Sequence, residues 1–171
     1  SPYDEGVFEQ DFVVDRPLLW DCEYPNLYRA DTEVYYQGRL SDTYQTTFGI
    51  RTIEVVPEKG FLLNGKKLVF HGTCNHHDLG PLGTAVNMQA IRYRLKMLKD
   101  MGSNAYRSSH NMPSPELVQA CNEMGMLLMV ETFDEWKAKK MANGYNKYYD
   151  EWVERDLVNV VRHYRNDPAV V

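Results

Sequence analysis

Between Val69 and Asp134 the sequence passes three times through one short plan, an apolar run that ends in a group of polar residues. Val69-Phe70-His71-Gly72-Thr73-Cys74 leads into Asn75-His76-His77-Asp78, and Asn104-Ala105-Tyr106 leads into Arg107-Ser108-Ser109-His110-Asn111. Leu127-Leu128-Met129-Val130 then leads into Glu131-Thr132-Phe133-Asp134. Segments with helical spacing lie between them. Strand, polar C-terminal end and helix, repeated in that order, are the plan of a parallel α/β barrel, in which strand ends far apart in sequence meet at one mouth.

The intervening helices are marked at both ends. Asn87 is placed to cap a helix over 88–101, with Met88, Ile91, Leu95 and Leu98 on one face and Gly102 as a stop. Ser114-Pro115-Glu116 opens the next, since Ser caps, Pro suits the first helical position and Glu favours the N-terminus. Leu117, Val118, Cys121 and Met124 form its apolar face, and Gly125 ends it. The run 127–130 is nearly all apolar, as a parallel strand covered on both faces requires. After a polar, aromatic loop, Tyr149, Trp152, Val153, Leu157, Val160, Val161 and Tyr164 predict a helix over about 147–165, closed by Asp167-Pro168. Ala169-Val170-Val171 has the composition of a fourth strand.

Ahead of the repeats the pattern changes. The runs 8–14, 27–36 and 44–56 carry aromatic and β-branched residues with polar turns between them and predict strands, the last ones of a β-sandwich. Phe61-Leu62-Leu63 and Lys67-Leu68-Val69 flank Asn64-Gly65, the dipeptide suited to a type I′ hairpin turn. The second arm of that hairpin is expected to continue into the first barrel strand.

Composition removes several classes of function. With 43% hydrophobic residues and a net charge of -5, the chain has material for a core but no basic footprint for nucleic acid. No apolar run reaches the length of a membrane span. Cys22, Cys74 and Cys121 are odd in number and far apart, which fits core or free thiols better than disulfides or a CxxC metal site. The chain begins at Ser1 without Met and stops in a new apolar run, so both ends look like cuts and the compartment stays open.

Three clusters carry candidate chemistry. His76-His77-Asp78 could hold a metal, tie neighbouring loops, or bind substrate at the barrel mouth, but no further ligands follow at zinc spacing. Arg107 leaves an apolar strand and needs a carboxylate, for which Glu131 is the natural partner. That pair could simply tie adjacent strands, or Arg107 could orient an active-site carboxylate. Just beyond it, His110 could donate to a sugar hydroxyl or ring substituent. Phe133-Asp134-Glu135-Trp136 sets carboxylates beside aromatics, as sugar sites do, although Glu135 could equally be solvated.

In order along the chain, 61–67, 71–80 and 101–111 strongly resemble the family 2 glycoside hydrolases, in particular their β-galactosidase branch. The segments 20–28, 48–51, 131–136 and 162–168 agree with that resemblance, which covers nearly the whole sequence. It implies the C-terminal strands of an immunoglobulin-like β-sandwich over 1–57, followed over 58–171 by the first three βα units of a (β/α)8 TIM barrel, truncated before strand 4. It also implies a retaining exo-glycosidase that hydrolyses terminal β-D-galactosides, without a cofactor, in a parent for which a homo-oligomer is allowed. By the same resemblance His76 and His110 contact the sugar, Asp134 lies in a segment that touches substrate, and Arg107 orients the nucleophile. In a metal-dependent branch a histidine stands two residues after the carboxylate here matched by Glu135; this chain has Lys137, so no metal is expected.

The resemblance places both catalytic glutamates beyond Val171, so these 171 residues alone are expected to be inactive. A β-glucuronidase or β-mannosidase of the same family, and a non-catalytic carbohydrate-binding module, are the competing expectations. Three barrel strands leave open edges, and the isolated span should self-associate. Light scattering on purified 1–171 checks this, and a monomer that unfolds cooperatively would refute it.

Overall fold

A computed structural model of the chain describes residues 6–171; the expected β region starts at residue 1, and its first five positions lie outside the described residues. Three sheets follow one another along the chain. The first is an antiparallel ribbon of β1 (Tyr28–Tyr36) and β2 (Arg39–Phe48), paired from Tyr28 opposite Phe48 to Tyr36 opposite Arg39, with an irregularity after Val34. Antiparallel β3 (Ile53–Val56), β4 (Gly60–Leu63) and β5 (Lys66–Lys67) make the second. The hairpin turn forms as expected, with positive φ at Asn64 (52°) and Gly65 (74°).

Two expectations for this half need correction. Residues 8–14 form no strand, and Phe8 and Val13 are almost fully exposed, because no neighbouring strand among the described residues pairs with their backbone. The run 44–56 is not one strand. It breaks at Gly49, whose position would put a Cβ 2.7 Å from Pro168 Cγ, and the chain resumes as β3 in a different sheet. Arg51, in the connection, donates through Nε to the Pro168 carbonyl and through Nη2 to that of Val170.

The third sheet is parallel: β6 (Gly72–Asn75), β7 (Ala105–Ser108) and β8 (Leu127–Met129), in chain order. Helix α1 (Met88–Asp100) joins β6 to β7 and α2 (Pro115–Met124) joins β7 to β8. The expected caps are in place: Asn87 accepts from the Ala90 N–H, Ser114 from the Leu117 N–H, and Gly125 adopts the left-handed conformation after α2. After β8 a long loop leads to α3 (Tyr149–Tyr164), and the chain returns to the sheet, where Val170 bridges Leu128 in parallel. The hairpin does not run on into β6, since β5 ends at Lys67 and the parallel sheet starts at Gly72.

Pairing in register puts Thr73, Tyr106 and Leu128 in one cross-strand row and Cys74, Arg107 and Met129 in the next, on the opposite face. Tyr106 and Leu128 are buried in the core with Leu95, Leu98, Val118 and Cys121. Met129 is 44% exposed, so the third run is not covered on both faces as expected, and Cys74 is exposed where a core thiol was one expectation. Helix α3 buries only Val160 and Tyr164 of its seven apolar positions, leaving Leu157 and Val161 about half exposed. One face of the sheet is thus sealed by helices, and the other carries Arg107.

Candidate active site

At the C-terminal ends of the parallel strands, Arg107, His110 and Glu131 come together, and His76 packs against His110 without lining the cavity they share. His76 follows β6, His110 follows β7, and their rings meet edge to face with centroids 5.3 Å apart. The Ser109–His110 peptide is cis. The expected ion pair is present: Arg107 Nη2 contacts Glu131 Oε1. The other oxygen of the same carboxylate, Oε2, lies 2.8 Å from His110 Nδ1, a contact that no spacing along the chain announces. Glu131 therefore joins two strand ends through one side chain. Arg107 also donates through Nη1 to Cys74 Sγ at 3.1 Å, and that sulfur, followed by the Glu131 charge, raises the guanidinium's pKa against partial desolvation. The cation stays fixed at all accessible pH.

The supports of these side chains lie one step back. Ser108, buried, accepts from the Glu131 N–H at 3.1 Å. Arg94 on α1 donates to the carbonyls of His76 and Asp78 and, at 3.4 Å, to the Tyr106 hydroxyl, pinning the loop after β6. Sequence inspection missed Arg94; its place three residues after Ile91 and four before Leu98, at the border of the apolar face of α1, was the signal that could have found it. His77 contacts the Thr84 carbonyl at 3.2 Å, a tie within the connection between β6 and α1 and not to a neighbouring loop. Among the described residues no group of three His, Cys, Asp or Glu is gathered as for a metal ion.

The loop after β8 builds the remaining wall. Glu135 is 4% exposed rather than solvated, and its carboxylate accepts from the N–H groups of Lys140, Met141 and Asn146. The hydrogen bond from Lys140 leads the causes that hold its pKa below the usual 4.5, against its desolvation. Asp134, exposed, is paired with Lys140 Nζ at 3.2 Å. Phe133 stacks on Tyr145 at 4.5 Å, and Trp136, 62% exposed, stacks on Tyr149 at 6.2 Å. Burial, followed by its bond to Asp156, pushes the Tyr145 phenol up to about 12, so it remains a donor.

Gly144 makes the fold of this loop possible. A Cβ there would fall 1.2 Å from Glu135 Oε2. Gly144→Ala should therefore expel the carboxylate and displace Asp134 and Trp136, lowering kcat/KM of the full-length protein by roughly 10- to 100-fold, the scale of an ångström-level misplacement. Unchanged kinetics would show that the loop does not shape the site. Acid should act in the same direction. Because the folded pKa of Glu135 is lowered, its contribution is fully present above the ordinary value of 4.5 and is lost as the pH falls through the depressed one. Proteolysis of the loop should accelerate only in that lower window.

An open cavity of about 590 Å³ is lined by Arg107, His110, Glu131, Asp134, Trp136 and Lys140, with Lys139 beside them. A second, of about 630 Å³, lies against the other side of the loop and takes in Phe133, Glu135, Tyr145 and Asp156. We place the site in the first, because the charged strand-end residues face it. Its combination of an Arg–carboxylate pair, an imidazole and an exposed indole suits a polyhydroxylated ring, with polar groups for the hydroxyls and a flat face for the C–H side.

Comparison with known proteins shows the family. The family description "Glycosyl hydrolases family 2, TIM barrel domain" matches residues 53–171, and "Glycosyl hydrolases family 2" matches residues 2–51. The chain is 47% identical to the β-galactosidase BoGH2A of Bacteroides ovatus over 97% of its own length and 20% of that protein's. It is 32% identical to a β-glucuronidase of Streptococcus agalactiae, covering 90% of this chain and 27% of that protein. Among solved structures, a β-glycosidase from Bacteroides vulgatus superposes with a TM-score of 0.86 at 40% identity, over 91% of this chain and 20% of that one. The β-glucuronidase of Parabacteroides merdae gives 0.78 at 29%, over 92% and 19%. The chain spans about a fifth of the length of such relatives. It belongs to family 2 of the glycosyl hydrolases, joining the immunoglobulin-like region to the start of the family's TIM barrel.

Proposed function

We propose that the full-length protein is a retaining exo-β-glycosidase acting on terminal β-D-galactosides, with residues 1–57 closing a sandwich domain and 58–171 opening the catalytic barrel. In this reading His76, His110 and Asp134 contact the sugar, and Arg107 orients the nucleophilic carboxylate. The substrate is a carbohydrate, and no cofactor is required. The observation that carries the reading is the meeting of Arg107, His110 and Glu131 on one cavity that also holds Trp136.

The catalytic pair belongs to other parts of the enzyme. Retention needs two carboxyl groups about 5–5.5 Å apart, one able to protonate the leaving oxygen and one free to attack. Glu131 is occupied by Arg107 and His110, Asp134 is paired with Lys140, and Glu135 is buried on three backbone N–H groups. None of them is available for either role. A β-glucuronidase is the second reading. It is favoured by Lys139 and Lys140 on the cavity wall, cations that suit a uronate, and a relative at 32% identity carries that name.

Hydrolysis of chromogenic β-galactoside, β-glucuronide and β-mannoside by the full-length protein, beside residues 1–171, tests this directly. Activity of the full-length protein alone, greatest on the galactoside, is expected. Preference for the glucuronide would favour the second reading. Turnover by the isolated span would overturn the placement of the catalytic pair, and no turnover of any glycoside by the full-length protein would overturn the enzyme reading.

A further inference from the structure

We infer that Glu131 is a positioning residue of the sugar site: its carboxylate fixes His110 as the tautomer protonated on Nδ1 and holds Arg107, so that Nε2 is the atom His110 presents to a sugar hydroxyl. This rests on the glycosidase reading above. Donor and acceptor roles set the tautomer. An ionised carboxylate only accepts, so the 2.8 Å contact between Oε2 and Nδ1 requires the proton on Nδ1. In the neutral ring Nε2 then carries the lone pair and accepts a hydrogen bond from a hydroxyl. The expectation from sequence, that His110 donates to the sugar, is thereby reversed for the neutral ring.

The geometry fits a built device better than a chance surface pair. Oε1 is taken by Arg107 while Oε2 is taken by His110, so one side chain restrains groups from the same neighbouring strand end in two directions. Glu131 is itself held close to β8, its N–H donating to the buried Ser108 hydroxyl of β7. The His76 ring, edge to face at 5.3 Å, limits rotation of His110 from the other side. A charged strand tie alone would need only the contact with Arg107. A carboxylate that also orients an imidazole follows the logic by which second partners set ring orientation and tautomer at histidine sites.

The test is a double-mutant cycle in the full-length enzyme on its preferred chromogenic glycoside, with Glu131→Gln, His110→Asn and the pair. Glu131→Gln keeps the shape but replaces the carboxylate with an amide, and each single change should lower kcat/KM by roughly 10- to 100-fold. Because both changes disable one arrangement, the double variant should lose at least about tenfold less than the product of the singles. Glu131→Gln within about twofold of wild type, or losses that multiply, would overturn the inference. Thermal melting of each variant separates a folding defect from a kinetic one.

A second measurement needs no variant. In a crystal structure of the wild-type full-length enzyme with the product monosaccharide, His110 Nε2 should lie within about 3.2 Å of a sugar hydroxyl, with Nδ1 still on Glu131. Nδ1 turned to the sugar would overturn the inference. Wild-type enzyme inert toward every glycoside tried would reject the glycosidase reading; active enzyme with multiplying losses rejects the role of Glu131 alone.

Discussion

Arg107→Ala in the full-length protein is expected to lower kcat by about 100- to 1,000-fold, the scale for removing one preorganised charge from a site where charge develops. Arg107 stands on the open face of the parallel sheet, between Cys74 and Met129 in register, with its guanidinium on Glu131 and Cys74. Its loss leaves the Glu131 carboxylate with His110 alone and, on the proposed role, frees the nucleophile to turn away. Melting temperature should hardly move, because the side chain is 38% exposed and solvent screens its pair. Arg107→Lys should not restore activity, since a point charge cannot reproduce the two-way fork to Glu131 and Cys74. Retention of kcat within threefold of wild type in Arg107→Ala, about half an order of magnitude, would reduce the residue to a strand tie.

Trp20→Ala is the change expected to cost the most stability. The indole is fully buried, and Nε1 donates at 2.8 Å to the Asn122 carbonyl on α2. Its backbone is bound on both sides, N–H to the Ile50 carbonyl and carbonyl to Asn64 Nδ2, so this one residue ties the segment before β1, the hairpin and α2 together. Emptying such a site costs about 3–5 kcal/mol from lost burial and the cavity left behind. Trp20→Phe should recover much of the packing but leave the Asn122 carbonyl unpaired, a cost of about 1–3 kcal/mol. Denaturant unfolding of the full-length protein, followed by tryptophan fluorescence and by limited proteolysis near residue 20, reads both. A midpoint for Trp20→Ala equal to wild type would show that the indole does not knit these elements.

Local chemistry explains why much of this molecule was legible in one sequence. The helix starts at Asn87 and Ser114, the stop at Gly125 and the turn at Asn64-Gly65 each depend on backbone preferences of one or two residues. The three strand ends could be read because an apolar run that breaks abruptly into Arg, His or Glu marks where a buried strand leaves the core. The Arg107–Glu131 pair followed from the cost of leaving a guanidinium without a partner.

Other features depended on partners far away in sequence. Residues 8–14 have strand composition, yet they form no strand because composition does not supply a neighbour to pair with. The break between β2 and β3 comes from Pro168, more than a hundred positions away, packing against Gly49. For Glu135 the sequence left a sugar-site and a solvated carboxylate open, and only the return of the loop over it brought three N–H groups within reach. The link from Glu131 to His110 joins adjacent strands at a distance of 21 residues, and no periodicity reports it.

By itself, then, the sequence determined the parallel repeat, the caps that bound its helices and the residues of its strand ends, because those follow from short-range backbone and solvation preferences. The tertiary structure decided which face of the sheet stays open, that Glu135 builds the wall while Glu131 holds both Arg107 and His110, and where the first half of the chain stops pairing. Each of these depends on the positions of two distant groups in space, which the order of residues along the chain does not contain.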